Sequence, residues 1–116
     1  MDEGKVARCA LDPYGFRRAL RMLGWEPACL VVAEAPFARL AGMIPRSYGA
    51  AGAPGEEVVM GFPRCHAVHT CFMHRALDIA FLSKTGEVLA VHRAVEPWRM
   101  CSHRGAASVL ERFSGL

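Results

Sequence analysis

Residues 65–74 carry the densest group of chemically capable side chains, with two cysteines and three histidines in ten positions. If this stretch is an extended strand, Cys65, His69 and Cys71 point to the same face. Thiolates and imidazoles are ligands that Zn²⁺ prefers, so one hypothesis is a zinc site at these three residues. The stretch has no Cys-x-x-Cys pair and no matching second pair of ligands, so the spacing does not favour zinc.

Asp78 interrupts the apolar stretch 77–82 and raises a second possibility. It either faces solvent by strand alternation or faces inward, where an unpaired charge would cost several kcal/mol. The natural inward partners are His69, Arg39 and Arg99. Held by Asp78, His69 could act as the base of a small hydrolase or transferase, or the pair could belong to a polar network in the core. We favour the structural network.

Two further features allow either chemistry or packing. Cys65 or Cys71 beside His69 has the composition of a cysteine–histidine dyad, but free cysteines are usually buried and inert, which favours packing. The Pro97-Trp98-Arg99 step places a rigid aromatic plate beside a guanidinium. It could form the rim of a pocket or cover one end of the core, and both interpretations stay open.

The favoured functional hypothesis is a non-enzymatic module whose polar cleft binds a small ligand or a protein partner. Whether the protein is an enzyme is left open. The sequence has no phosphate-binding loop, dinucleotide fingerprint or nucleophile elbow, so we expect no cofactor. The residues predicted to line the cleft are Arg39, His69, Thr70, Asp78, Trp98 and Arg99.

Composition indicates one ordinary globular domain. The 116 residues are 53% hydrophobic and 22% charged, with a net charge of +3, which is far from the concentrated charge of a nucleic-acid-binding protein. Arg17, Arg18 and Arg21 are best explained as a solvated helix face.

The five cysteines are odd in number and irregularly spaced, which favours reduced thiols. No apolar run approaches a membrane span and no signal peptide is evident, so we expect a soluble, cytoplasmic protein.

Patterning predicts two helices followed by a group of strands. Asp12 and the proline after it are typical of a helix start, and Gly24 is a plausible end. A second helix is expected over 35–44, followed by a glycine-rich loop over 47–57. The predicted strands cover 28–33, 58–62, 77–82, 87–92 and 108–113, with an edge strand or irregular crossing at 95–100.

Strands that are grouped together, rather than alternating with helices, favour the α+β class. We expect a small antiparallel sheet curled toward a barrel, with two short helices packed to one side. Residues 1–27 are predicted to be an N-terminal extension with one helix, and residues 28–116 a single domain.

Three stretches together resemble a known family. They are the Ala-Arg-Leu-Ala-Gly-Met run at 38–43, the His-Thr-x-x-Met motif at 69–73 that leads into Leu-Asp-x-x-Phe-Leu at 77–82, and Pro-Trp-Arg at 97–99. In this order and spacing the chain resembles the family called domain of unknown function 192 over about residues 29–116. The resemblance implies a compact domain dominated by strands. It implies no substrate, because the family has no established activity.

Overall fold

The computed structural model describes residues 12–33, 57–71 and 73–115, and within them the chain forms one helix and seven strands. The predicted helix over 35–44 and Arg39 lie outside the described residues. No helix in the three described ranges is long and apolar enough to cross a bilayer. In chain order the elements are helix α1 (Phe16–Leu23) and strands β1 (Ala28–Val32), β2 (Glu57–Pro63), β3 (Ala67–His69), β4 (Leu77–Leu82), β5 (Val88–Val95), β6 (Met100–Ser102) and β7 (Ser108–Phe113).

Helix α1 confirms the helix predicted between Asp12 and Gly24. The Asp12 carboxylate accepts hydrogen bonds from the backbone N–H groups of Arg17 and Arg18 at 3.0 and 3.1 Å. These bonds satisfy donors that a helix start would otherwise leave without a partner. The helix ends at Gly24, whose positive φ of 73° is cheap for glycine. Its buried face consists of Phe16, Ala19 and Leu20.

Five strands form one mixed sheet in the order β1-β2-β7-β4-β5. The β2–β7, β7–β4 and β4–β5 pairs are antiparallel, but β1 pairs with β2 in parallel. The prediction of an antiparallel sheet curled toward a barrel is therefore wrong on both counts in the described residues. In this part of the chain the sheet is open, with β1 and β5 as its outer strands.

A separate two-stranded antiparallel unit, formed by β3 and β6 and called the ribbon below, packs on one face of the sheet. Helix α1 packs on the opposite face. Strand β4 is buried along its whole length because it lies between these two layers. Its side chains alternate, with Leu77, Ile79 and Phe81 facing the ribbon and Ala80 and Leu82 facing the helix.

Two glycines allow α1 to approach the sheet closely. A Cβ on Gly61 would lie 2.7 Å from the ring of Phe16, so the ring occupies the space that a side chain would need. A Cβ on Gly15 would lie 2.5 Å from the Cα of Gly86 in the β4–β5 turn. Both Gly15 and Gly86 have positive φ, which other residues adopt only at a cost. These contacts fix the helix against β2 and the β4–β5 hairpin.

Candidate functional site

Asp78 faces the helix side of the sheet and both of its carboxylate oxygens have partners. Oδ1 accepts a hydrogen bond from the backbone N–H of Ala94 at 2.9 Å, and Oδ2 accepts one from Nε of Arg112 at 3.1 Å. Strand β5 has a register irregularity opposite Asp78, and Ala94 has a φ of 51° there. The carboxylate therefore holds a β-bulge in place near the end of β5, between the pairs Leu77–Val95 and Ile79–His92.

Arg112 extends this network across the sheet. Its Nη1 lies 3.4 Å from Oε2 of Glu57, and its guanidinium stacks 4.4 Å from the centre of the Trp25 ring. Asp78 thus faces inward and finds a cation, as the network interpretation requires. The expectation of His69 or Arg99 was wrong, however, because the cation is Arg112; Arg39 lies outside the described residues. Asp78 and Arg112 are far apart in the sequence, and only the register of the β4–β7 pair places them side by side. No sequence signal therefore indicated this ion pair.

His69 lies on the other side of the sheet, at the end of β3 in the ribbon. Its side chain is exposed, and its Nδ1 accepts a hydrogen bond from the backbone N–H of Cys71 at 3.2 Å. The predicted His69–Asp78 pair is therefore wrong, because the sheet separates the two side chains. The hypothesis of a hydrolase or transferase in which Asp78 orients His69 therefore lacks the contact on which it depends.

The proposed zinc ligands are not brought together. Strand β3 covers only Ala67–His69, so the alternation assumed across residues 65–74 does not extend to Cys65 or Cys71. The Cys65 thiol instead donates to the carbonyl of Ala67 at 3.1 Å. In the described parts of the chain no three histidine, cysteine or acidic residues form a group suited to a metal ion.

Thr70 is the centre of the hydrogen bonds that join the ribbon to the turn at residues 96–99. Its hydroxyl donates to the carbonyl of Glu96 at 2.6 Å and accepts from the N–H of Arg99 at 2.8 Å. Its backbone N–H donates to the carbonyl of Arg99, and its carbonyl accepts from the N–H of Trp98. Thr70 is fully buried. It positions the turn and offers no accessible group to a ligand.

The turn presents large side chains to solvent. Trp98 is 62% exposed and Met100 is 76% exposed. His69 pairs with Met100 in the ribbon register, so the two lie side by side. Arg99 is exposed and forms a 3.5 Å ion pair with Glu96. Of the six predicted cleft residues, the structure therefore gathers His69, Thr70, Trp98 and Arg99, and it places Asp78 elsewhere.

Glu111 is a buried acid that the sequence reasoning missed. It lies on β7 between Met60 of β2 and Ile79 of β4, and only 2% of it is exposed. Burial raises the pKa of its carboxyl group to about 8. The pKa of Cys101, on the facing strand of the ribbon, is raised first by burial and second by the charge of Glu111. The sequence feature that could have indicated this buried acid is the glutamate within the predicted strand 108–113.

The described residues form an open mixed sheet with one helix and a covering ribbon, which places the chain among small α+β domains. The family model of DUF192, described as uncharacterized ACR, matches residues 23–116. The chain therefore belongs to this family, as the motifs predicted. The match begins at the end of α1, while the division into an extension at 1–27 and a domain at 28–116 stays a prediction.

Two solved structures share the fold. A protein of unknown function from Novosphingobium aromaticivorans superimposes with a TM-score of 0.57 at 19% identity, over 74% of this chain and 63% of that one. A proposed transcription regulator from Sinorhizobium meliloti has a TM-score of 0.57 at 23% identity, over 74% of this chain and 68% of that one. This chain thus spans under two thirds of the Novosphingobium protein. A comparison with curated proteins finds no match.

Proposed function

We propose that the protein is a non-enzymatic binding module that recognises a protein partner. The recognition site is the docking surface formed by His69, Trp98, Arg99 and Met100. Thr70 supports this surface from beneath. The proposal narrows the ligand- or partner-binding hypothesis to one kind of partner and to the part of the predicted cleft that is accessible.

The observation that carries the proposal is the conformation of Trp98. Its φ of 65° lies in the left-handed region, which is costly for a bulky side chain, yet 62% of the residue is exposed. Strained backbone persists where surrounding bonds hold it, and here the carbonyl of Thr70 accepts the N–H of Trp98 at 3.1 Å. A tryptophan that is held in a strained conformation while most of it stays exposed supports presentation to a partner.

The chemistry of the surface supports a protein partner. Tryptophan, methionine and arginine are enriched in protein interfaces, and tryptophan and arginine dominate the residues that carry binding energy. Within the docking surface, Arg99 is exposed, and its only ion pair among the described residues is the weak, solvent-exposed one with Glu96 at 3.5 Å. The partner that fits has an apolar centre for Trp98 and Met100 and an acidic group that can compete for Arg99.

Site-specific photo-crosslinking tests the proposal. A photoreactive residue at position 100 in the full chain should capture a discrete partner, and the same residue at position 22 should not. Met22 is the matched control because it is 75% exposed and lies on helix α1, away from the ribbon. Binding of the purified partner is then measured for Trp98→Ala and Met22→Ala.

We expect Trp98→Ala to weaken binding at least tenfold with an unchanged melting temperature, and Met22→Ala to bind as the parent does. Acrylamide quenching adds a direct readout, because Trp25 is buried and the accessible signal comes from Trp98. The partner should protect that signal. Equal crosslinking at both positions, or protection by a small-molecule fraction alone, contradicts a protein-binding function.

A further inference from the structure

A groove lies between helix α1 and the turn that joins β4 to β5. Its volume is about 340 Å³, which falls in the range of small-molecule clefts in proteins. None of the described residues that line it belongs to the docking surface, so the groove is a separate feature of the molecule. These lining residues are Arg18, Met22, Leu23, Gly86, Glu87 and Val88.

The apolar part of the groove is continuous with the core. Leu23 and Val88 are partly buried and pack against the core cluster beneath the helix. The helix and the turn meet at Gly86, where a Cβ would lie only 2.6 Å from the Cα of Gly15. Met22 lines the same groove and is 75% exposed. A ligand with an apolar stem would remove this side chain from water, which is favourable in proportion to the area covered.

Arg18 and Glu87 give the groove one charge of each sign. Both residues are exposed, and within the described ranges neither belongs to an ion pair, with the other or with a third residue. Oε1 of Glu87 accepts a hydrogen bond from the hydroxyl of Thr85 at 3.0 Å, which orients the carboxylate. Opposite charges that line one groove without pairing leave space for a ligand that contacts both.

We propose that this groove binds a free α-amino acid with an apolar side chain. The carboxylate of the amino acid pairs with the guanidinium of Arg18, whose planar donors match a carboxylate. The ammonium group pairs with Glu87, and the apolar side chain lies against Met22, Leu23 and Val88. A carboxylic acid without the ammonium group would be repelled by Glu87, and an amine without the carboxylate would be repelled by Arg18.

An NMR titration of the full ¹⁵N-labelled chain with L-norleucine at pH 7 tests the site. The controls are n-hexanoate, which is the same molecule without its ammonium group, and n-pentylammonium, which lacks only the carboxylate. We expect saturable shifts of the backbone amides of Leu23, Gly86 and Val88, with a dissociation constant in the millimolar range because both protein charges are exposed and screened. Each control compound should bind at least fivefold more weakly.

Variants assign the two charges. Arg18→Gln and Glu87→Gln should each weaken L-norleucine binding at least fivefold. Arg17→Gln is the matched control, because Arg17 is exposed on the same helix and does not line the groove, and it should bind as the parent does. Trp98→Ala should also bind as the parent does, so a failure here is independent of the proposed partner binding.

Three results would overturn the proposal. The first is binding of n-hexanoate or n-pentylammonium as tight as that of L-norleucine. The second is an equal loss of affinity in Arg17→Gln and Arg18→Gln, which would show attraction to the helix charge in general. The third is the absence of saturable shifts at the groove amides of the parent protein.

Discussion

In the described part of the chain, each face of the sheet holds one buried acid, and the two acids have opposite surroundings. On the helix face, Asp78 has a guanidinium and a backbone N–H as partners. On the ribbon face, Glu111 has apolar neighbours and a thiol. Removing one partner of a buried ion pair is strongly destabilising, whereas a buried carboxyl among apolar groups costs free energy when it ionises. The contrast predicts that replacing the two acids changes stability with opposite signs.

The largest expected loss of stability comes from a substitution on the helix face. Asp78→Ala leaves the largely buried guanidinium of Arg112 without its 3.1 Å partner and frees the N–H of Ala94, so we expect a loss of about 3 kcal/mol in the free energy of unfolding. Urea denaturation measures it. Asp78→Asn retains an acceptor for Ala94 and should lose less. A loss under about 1 kcal/mol for Asp78→Ala would remove the distinction between the two faces.

Replacing Glu111 should change the free energy of unfolding in the opposite direction, because the substitution should stabilise the protein at high pH. The pKa of Glu111 is raised from 4.5 to about 8 in the folded state, so between these values the folded state binds more protons than the unfolded state. The stability of the parent protein should therefore fall as pH rises through this window. Glu111→Gln should remove that dependence and be more stable at pH 9 by roughly 2 to 5 kcal/mol. Denaturation of both proteins at pH 5, 7 and 9 measures it, and parallel curves would contradict it.

Thr70 tests whether the ribbon and the turn at residues 96–99 act as one unit. Thr70→Val keeps the shape but removes the hydroxyl bonds to Glu96 and Arg99, at a cost of about 1–2 kcal/mol. The indole of Trp98 should become more mobile, which lowers its fluorescence anisotropy. Thr70→Ser keeps the hydroxyl and should behave more like the parent. Unchanged anisotropy in Thr70→Val would separate Trp98 from this support.

The smallest effect concerns the strained backbone that joins the two faces. Ala94, with φ 51°, and Trp98, with φ 65°, adopt a conformation that glycine accepts readily. Ala94→Gly should therefore gain up to about 1 kcal/mol. Ala90→Gly, in the same strand without positive φ, should lose a similar amount and serves as the control. Thermal unfolding compares the two, and losses at both positions would show that no strain is stored at Ala94.

Local pattern was enough to predict α1 and the five strands of the main sheet. It predicted no strand at β3, and the edge strand or irregular crossing expected over 95–100 is instead the end of β5, a turn and the start of β6. Strands β4 and β7 were expected over 77–82 and 108–113, the residues they occupy, and α1 was expected from its capping residues and apolar spacing. The residues of the docking surface were also found in part, because His69, Trp98 and Arg99 stand out by type. Met100 was missed as a site residue, since an isolated methionine gives no signal until its exposure is known.

The sequence by itself determined α1, the approximate positions of the five strands of the main sheet, the family motifs and the presence of an acid at each of positions 78 and 111. Only the tertiary structure decided the parallel pairing of β1 with β2, the partner of Asp78 and the burial of Glu111. The physical reason is how far apart along the chain the interacting residues lie. Alternation and capping act between residues a few positions apart, whereas strand order and the layers that cover each face depend on contacts between distant segments. Those contacts decide whether a carboxyl group meets a cation or an apolar wall.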